Sequence, residues 1–408
     1  MSRRLARIAS LLLAIGLVAA SCSSASTPDP RGDAGTLPPP TTTAPPTTTA
    51  PPTTTMAGTT TTEAPQEPPI LLAWVSGFLP EDFGGLIEAV DGVLAVTVVS
   101  AGIADLVAST DASGAVVDRA GSGFAYPLET FAIDPVSYGE FLPPAEASIV
   151  SSLGAGDVVL GETSARLRRI GVGGTLEFAN GAVATVAAVF ADELIGGAEV
   201  VTASPETIAP GRITPRYALA RGDLDAGALL AGLLAALGPD TPMQVKTEGD
   251  SPLLRHADAV RSQAEIKERF GEFAYRDSQG RRIEIDPGWV EENIVERDLP
   301  LLGTFTCHRD FVALLEDVMI GLESAGLAAV IDRSAFYGCW NPRWIADRRG
   351  LSRHAWGAAA DVNLGNATDG GNGSPVHSAL LGLTEAAGMT SGHLWVQADP
   401  GHFEWYED

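Results

Sequence analysis

Two short segments near the end of the chain hold side chains that can do chemistry together. Ser352-Arg353-His354-Ala355-Trp356-Gly357-Ala358-Ala359-Ala360-Asp361 carries an imidazole and a carboxylate, and Asp399-Pro400-Gly401-His402-Phe403-Glu404-Trp405 adds a second imidazole between two acids. Two imidazoles, one carboxylate and one open position form the donor set of a tetrahedral catalytic zinc site. A single carboxylate leaves the divalent ion net positive, so it can acidify a water molecule and polarise a carbonyl. A second carboxylate must then take the water's proton and pass it to a departing amine. Asp399 is the candidate for that task. Glu404 is its rival, with a supporting role expected because in an extended strand it shares a face with His402.

These donors meet only if the backbone brings them together. The spacing of His354 and Asp361 is two helical turns on one face, or opposite faces of an unbroken strand, so convergence needs a helix or a bend that Gly357 can supply. Pro400-Gly401 reads as a tight turn that sets Asp399 and His402 on one side, before an extended run from Phe403 to Tyr406. Upstream, Leu314, Leu315, Val318, Met319 and Leu322, ending at Gly326, have the spacing of a helix's buried face. Asn363, Asn366 and Asp369 read as a polar loop without EF-hand spacing. Trp356, Trp395 and Trp405 are expected in the core or the pocket wall. His256, His308, His377 and His393 are read as ordinary core or surface residues, His393 being the one to follow for proximity to substrate.

The span from about 301 to 408 resembles the zinc D-alanyl-D-alanine carboxypeptidases of peptidase family M15, in the VanY-like branch. The family pattern S-x-H-x-x-G-x-A-x-D followed by D-x-x-H is matched by Ser352, His354, Gly357, Ala359, Asp361, Asp399 and His402. The resemblance implies a C-terminal M15/hedgehog-like zinc peptidase fold, with His354, Asp361 and His402 as ligands to Zn2+ and Asp399 as general base. It further implies a substrate contact for Ser352. Tyr337-Gly338-Cys339-Trp340-Asn341-Pro342-Arg343 is similar to the family segment whose arginine steadies the oxyanion or binds substrate, which gives Arg343 that role. Phe270-Gly271-Glu272-Phe273 through Trp289 extends the likeness back to near residue 262. The chain departs from the pattern at Ser391-Gly392-His393, where related enzymes show W-G-G, and at Gly401, where a bulkier residue is common. The implied activity is removal of a terminal D-alanine from peptidoglycan stem peptides. An endopeptidase of the same family, or a zinc-containing binding or regulatory envelope protein without turnover, are the alternatives.

The remaining 300 or so positions say where such a domain would work. The chain has 408 residues, too many for one typical domain, and is 45% hydrophobic and 19% charged, enough apolar material for real cores. Its 26 basic and 51 acidic residues give a net charge of -25, which excludes nucleic acid as a partner. Arg3, Arg4 and Arg7 ahead of the apolar run from Ile8 to Ala20 read as an export signal over residues 1–21, shorter than a span of about 20 residues. Ala19-Ala20-Ser21-Cys22 resembles a bacterial lipobox, so Cys22 is expected to be lipidated and to tie the protein to the membrane. The expected location is extracytoplasmic, on the outer face of the bacterial cytoplasmic membrane; ordinary cleavage and secretion are the alternative. Residues 22–69 form a Pro/Thr-rich disordered linker, able to reach on the order of 100 Å if extended. In an oxidising compartment Cys307 and Cys339 are left as a disulfide pair worth about 3–4 kcal/mol, or as two buried thiols.

Residues 70–255 contain no histidine or cysteine and no catalytic motif. Val93 to Val99, Val158 to Gly161 and Gly181 to Phe190 read as strands, and Asp223 or Asp225 can cap a helix through Leu229, Leu230, Leu233 and Leu234 that stops at Gly238. Leu153 to Asp157 and Phe178 to Gly181 resemble parts of the extracytoplasmic domains of MacB/FtsX-type membrane proteins. The expectation is an α/β or α+β positioning or regulatory domain, with an envelope protein as its partner. The whole chain is then a multidomain α+β protein whose peptidase part spans 262–408.

Overall fold

In the computed structural model the described residues are 68–258, 261–346, 349–363, 378–393 and 395–407. The export signal, Cys22 and the Pro/Thr tract up to residue 67 lie outside them, as do Asn366, Asp369 and His377. Ten strands share one sheet: β1 (Leu71–Val75), β2 (Val93–Thr110), β3 (Val116–Arg119), β4 (Tyr126–Ala132), β5 (Asp157–Gly161), β6 (Thr175–Phe178), β7 (Val183–Phe190), β8 (Val200–Thr202), β9 (Thr214–Gly222) and β10 (Met243–Thr247). The architecture is mixed α+β.

The long strand β2 belongs to two structures at once. Its first half completes an antiparallel set in the order β10-β1-β9-β2, with the helix Phe83–Glu88 between β1 and β2 and the helix Ala226–Leu237 between β9 and β10. This is a split βαβ arrangement. Both helices cover one face, where Phe83, Ile87, Leu229 and Leu233 pack on Leu71, Ala73, Ala218 and Val245. The second helix starts where Asp225 accepts a hydrogen bond from Ala228 N–H, and Gly238 stands at its C-cap.

The second half of β2 closes a ring. It pairs with β4 and with β6, and the circuit runs β2-β4-β8-β5-β7-β6 back to β2. Strict alternation of buried and exposed positions along much of β7 marks one face turned inward. Leu106, Leu128, Leu160, Leu176, Phe178 and Val186 fill that interior. Closure removes the free edges that these strands would otherwise present.

The C-terminal elements are shorter. A capping box between Ser262 and Glu265 opens the helix Gln263–Phe270. Two hairpins follow, β11 (Tyr275–Asp277) with β12 (Ile283–Ile285) and β13 (Ile294–Leu299) with β14 (Gly303–His308), and then the helix Arg309–Ser324. Leu314, Leu315, Val318, Met319 and Leu322 form its buried face, as their spacing predicts. The last sheet has the order β15-β17-β16, from β15 (Ala359–Asp361), β16 (Met389–Gly392) and β17 (Asp399–Trp405). A disulfide joins Cys307, on β14, to Cys339.

The described residues belong to one compact unit, and a buried ion network explains how the barrel and the C-terminal elements hold together. Glu199 accepts from Arg168 at 3.0 Å and from Lys267 at 2.8 Å, and Lys267 also reaches Glu272 at 2.7 Å. Gln263 Nε2 donates to the second Glu199 oxygen at 2.7 Å. Two cations thus meet two carboxylates with further hydrogen bonds, the condition under which charges tolerate burial. No helix among the described residues is long and apolar enough to cross a membrane.

Candidate metal centre

The register of the last sheet does most of the positioning. Asp361 lies directly opposite His402 across β15 and β17, so the two side chains are cross-strand neighbours. His354 comes from the 3-10 turn Arg353–Ala355, after which Gly357 at φ +65° turns the chain into β15. Only glycine suits this point, because a Cβ would lie 2.6 Å from the His308 backbone nitrogen. The bend expected at Gly357 is therefore present. The turn expected at Pro400-Gly401 is not: both residues lie inside β17. A register shift between Ser391 and Gly392, where their partners jump from Phe403 to Asp399, re-aims the strand instead.

Asp361 Oδ1 lies 3.1 Å from His354 Nε2 and 3.1 Å from His402 Nδ1. The three donor atoms lie within 4.8 Å of one another, close enough to share one metal ion. The far side of each ring is also fixed. His354 Nδ1 donates to Cys339 O at 2.7 Å, and His402 Nε2 donates to Glu404 Oε2 at 3.2 Å. With both outer nitrogens engaged, the inner nitrogens are the atoms a cation would meet. In the neutral rings they turn lone pairs toward Asp361, and the proton that His402 Nδ1 otherwise shares with Asp361 would be displaced by the ion. Such a convergence of acceptors suits a divalent cation, and two imidazoles with one carboxylate suit zinc. The disulfide anchors the loop that supplies the Cys339 carbonyl to Cys307 on β14.

The electrostatics follow from this packing. Burial would lower His402, yet its hydrogen bonds to Asp361 and Glu404 raise it to about 9. Burial would raise Asp361, but the two imidazoles hold it well below the usual carboxylate range. Glu404 is buried and lowered in the same way by His402, the residue whose strand face it shares. Asp399 behaves differently. Burial lifts its carboxyl, with the Asp361 charge adding to the effect and His402, His354 and Arg343 opposing it.

A cavity of about 490 Å³ holds His354, Asp361, His402, Asp399, Arg343 and Ser352 on its wall. Arg343 is strapped in place by a bridge to Arg282, and its backbone oxygen accepts from Ser352 N–H at 3.0 Å. Burial lowers the Arg343 guanidinium, and Asp361 and Asp399 counter that effect. Trp395 also lines the cavity, its ring 5.1 Å from that of His402, whereas Trp356 and Trp405 are buried in the core. His308 caps the helix Arg309–Ser324 by accepting from Asp310 N–H, and its Nε2 donates to Phe270 O. Among the cavity residues that carry no signal in the linear sequence are Trp74, Arg281 and His256. Trp74 comes from β1, so the first half of the molecule contributes to the wall of the cavity that also holds the candidate metal ligands.

No family model matches the chain, and no curated protein does. Among solved structures, the periplasmic region of MacB from Actinobacillus actinomycetemcomitans is similar at 14% identity and a TM-score of 0.29, over 44% of this chain and 88% of that one.

Proposed function

We propose that the protein is a zinc-dependent D-alanyl-D-alanine carboxypeptidase-like hydrolase of peptidoglycan stem peptides, with its peptidase part in residues 262–408 and a kinship to peptidase family M15. The observation that carries this reading is the meeting of His354, Asp361 and His402 on a cavity that also holds Asp399 and Arg343. Zinc held by those three residues supplies a Lewis acid for water activation and carbonyl polarisation. Asp399 takes a proton from the attacking water as the water oxygen bonds to the scissile carbonyl carbon. Arg343 balances the negative charge that develops on the carbonyl oxygen. Asp399 then gives the proton to the amide nitrogen as the carbon–nitrogen bond breaks, and D-alanine leaves with a free amine. Glu404 keeps the His402 ring oriented throughout. Export and a lipid tether at Cys22 on the outer face of the bacterial cytoplasmic membrane are part of the same proposal, resting on the sequence of residues 1–69.

The test is mass spectrometry of a D-alanyl-D-alanine-terminated stem peptide after incubation with the zinc-loaded full chain. Release of one terminal D-alanine is expected from the wild type and none from Asp399→Ala. An intact peptide overturns the reading, and a cut inside the stem replaces it with an endopeptidase.

A further inference from the structure

One irregular strap, residues 337–343, braces two of the three candidate metal ligands. Tyr337 N–H donates to Asp361 O at 3.0 Å, Asp361 N–H donates to Gly338 O at 3.0 Å, and Asn341 N–H donates to His354 O at 2.9 Å. Between these contacts lies Cys339, whose carbonyl accepts from His354 Nδ1 at 2.7 Å and so sets the direction of that ring. Arg343 stands at the end of the same strap.

Little regular structure supports the strap. Over residues 325–344 the chain forms two 3-10 turns, Ala328–Val330 and Arg333–Ala335, and its sheet-like contacts are isolated bridges at Gly338, Arg343 and Trp344. Segments of this kind open locally at low free energy. The Cys307–Cys339 disulfide is the covalent tie that joins the strap to β14, across a sequence separation of 32. Both cysteines are buried, and their sulfurs lie 3.4 Å and 3.3 Å from the carbonyl oxygen of Gly357, the residue that bends the chain between His354 and Asp361. The bond therefore touches both the strap that orients His354 and the bend that leads into β15.

We propose that the Cys307–Cys339 disulfide is a positioning element that couples oxidation to metal loading, so that the chain holds zinc tightly only when the bond is formed. The inference rests on the proposed zinc site and is independent of the hydrolase activity. Reduction breaks the S–S bond with two electrons and two protons from a pair of thiols, which leave joined as their own disulfide. The coupling is reciprocal: bound zinc protects the disulfide from reduction by the same factor by which the disulfide tightens zinc. With the proposed export, metal loading then follows oxidation outside the cytoplasm.

The experiment is competition for zinc against a chelator. It compares the oxidised full chain, the same chain reduced by a phosphine and desalted without air, and a double variant, Cys307→Ala with Cys339→Ala, that offers the ion no sulfur at the site. Zinc affinity about 10- to 100-fold lower is expected in both disulfide-free forms, the range for loss of an outer partner to a metal ligand. Leu233→Ala, a buried change in the split βαβ half, lowers stability elsewhere and should leave zinc affinity within about twofold. Thiol counts in a glutathione redox buffer should show the disulfide more resistant by a matching factor when zinc is present. Should the double variant not fold, zinc release from the loaded wild type after phosphine addition decides the matter, with about tenfold faster release expected. Equal affinity, or equal release, with and without the bond overturns the inference, as does a loss that Leu233→Ala reproduces. An oxidised wild type that takes up no zinc removes the metal centre and this inference together, which tells the two failures apart.

Discussion

Asp361 has a neighbour on each side: one of its oxygens faces both imidazoles, and each imidazole is backed by a second acceptor. Asp399 lines the same cavity and is lifted by burial, whereas Asp361 is held low by the imidazoles, a contrast that fits the proposed division between proton carrier and metal ligand. Asp399→Asn is therefore expected to keep zinc while turnover falls about 10²- to 10⁴-fold, the range for loss of a general base; metal analysis beside a turnover assay checks both halves. These residues were legible in the sequence because their types sit in two short segments with fixed spacing. His256 and Trp74 were not. Nothing in the order of residues joins position 74 to position 402, and only the packing of β1 against the last sheet's cavity does so.

At the scale of elements, one glycine and one helix cap support the site. Gly357→Ala forces a Cβ toward the His308 nitrogen at a positive φ, so it should cost about 1–3 kcal/mol and lower zinc affinity, read by chemical denaturation and metal titration. His308 is held down to about 4, chiefly by burial. Its ordinary value is 6.5, so the neutral ring contributes stability that is complete above pH 6.5 and is lost as pH falls toward 4. Protonation also removes the Nδ1 lone pair that accepts from Asp310 N–H. Unfolding midpoints measured between pH 7 and 4 should fall in the wild type and fall less steeply in His308→Gln. Helix periodicity and the cap at Asp225 made Ala226–Leu237 and Arg309–Ser324 readable in advance. The Pro400-Gly401 dipeptide misled, because a strand with shifted register can hold the same residues that usually make a turn.

Over the whole molecule, the sequence suggested a separate positioning or regulatory domain before the peptidase part, since residues 70–255 carry no chemical motif. In the structure that half supplies part of the cavity wall, and the ion network around Glu199 ties the barrel to the helix Gln263–Phe270. Long-range packing of this kind leaves no periodic trace. Glu199→Ala leaves Arg168 and Lys267 with Glu272 as their remaining carboxylate, and it is expected to cost about 3–5 kcal/mol in urea unfolding. Tryptophans from both halves should report one transition in the wild type. The measurement that bears most directly on the site is metal analysis of the purified full chain after equilibrium dialysis against zinc. One zinc per chain is expected in the wild type, with loss of that zinc in His402→Ala. A wild type that holds no stoichiometric metal, or a His402→Ala protein that holds as much as the wild type, contradicts the account.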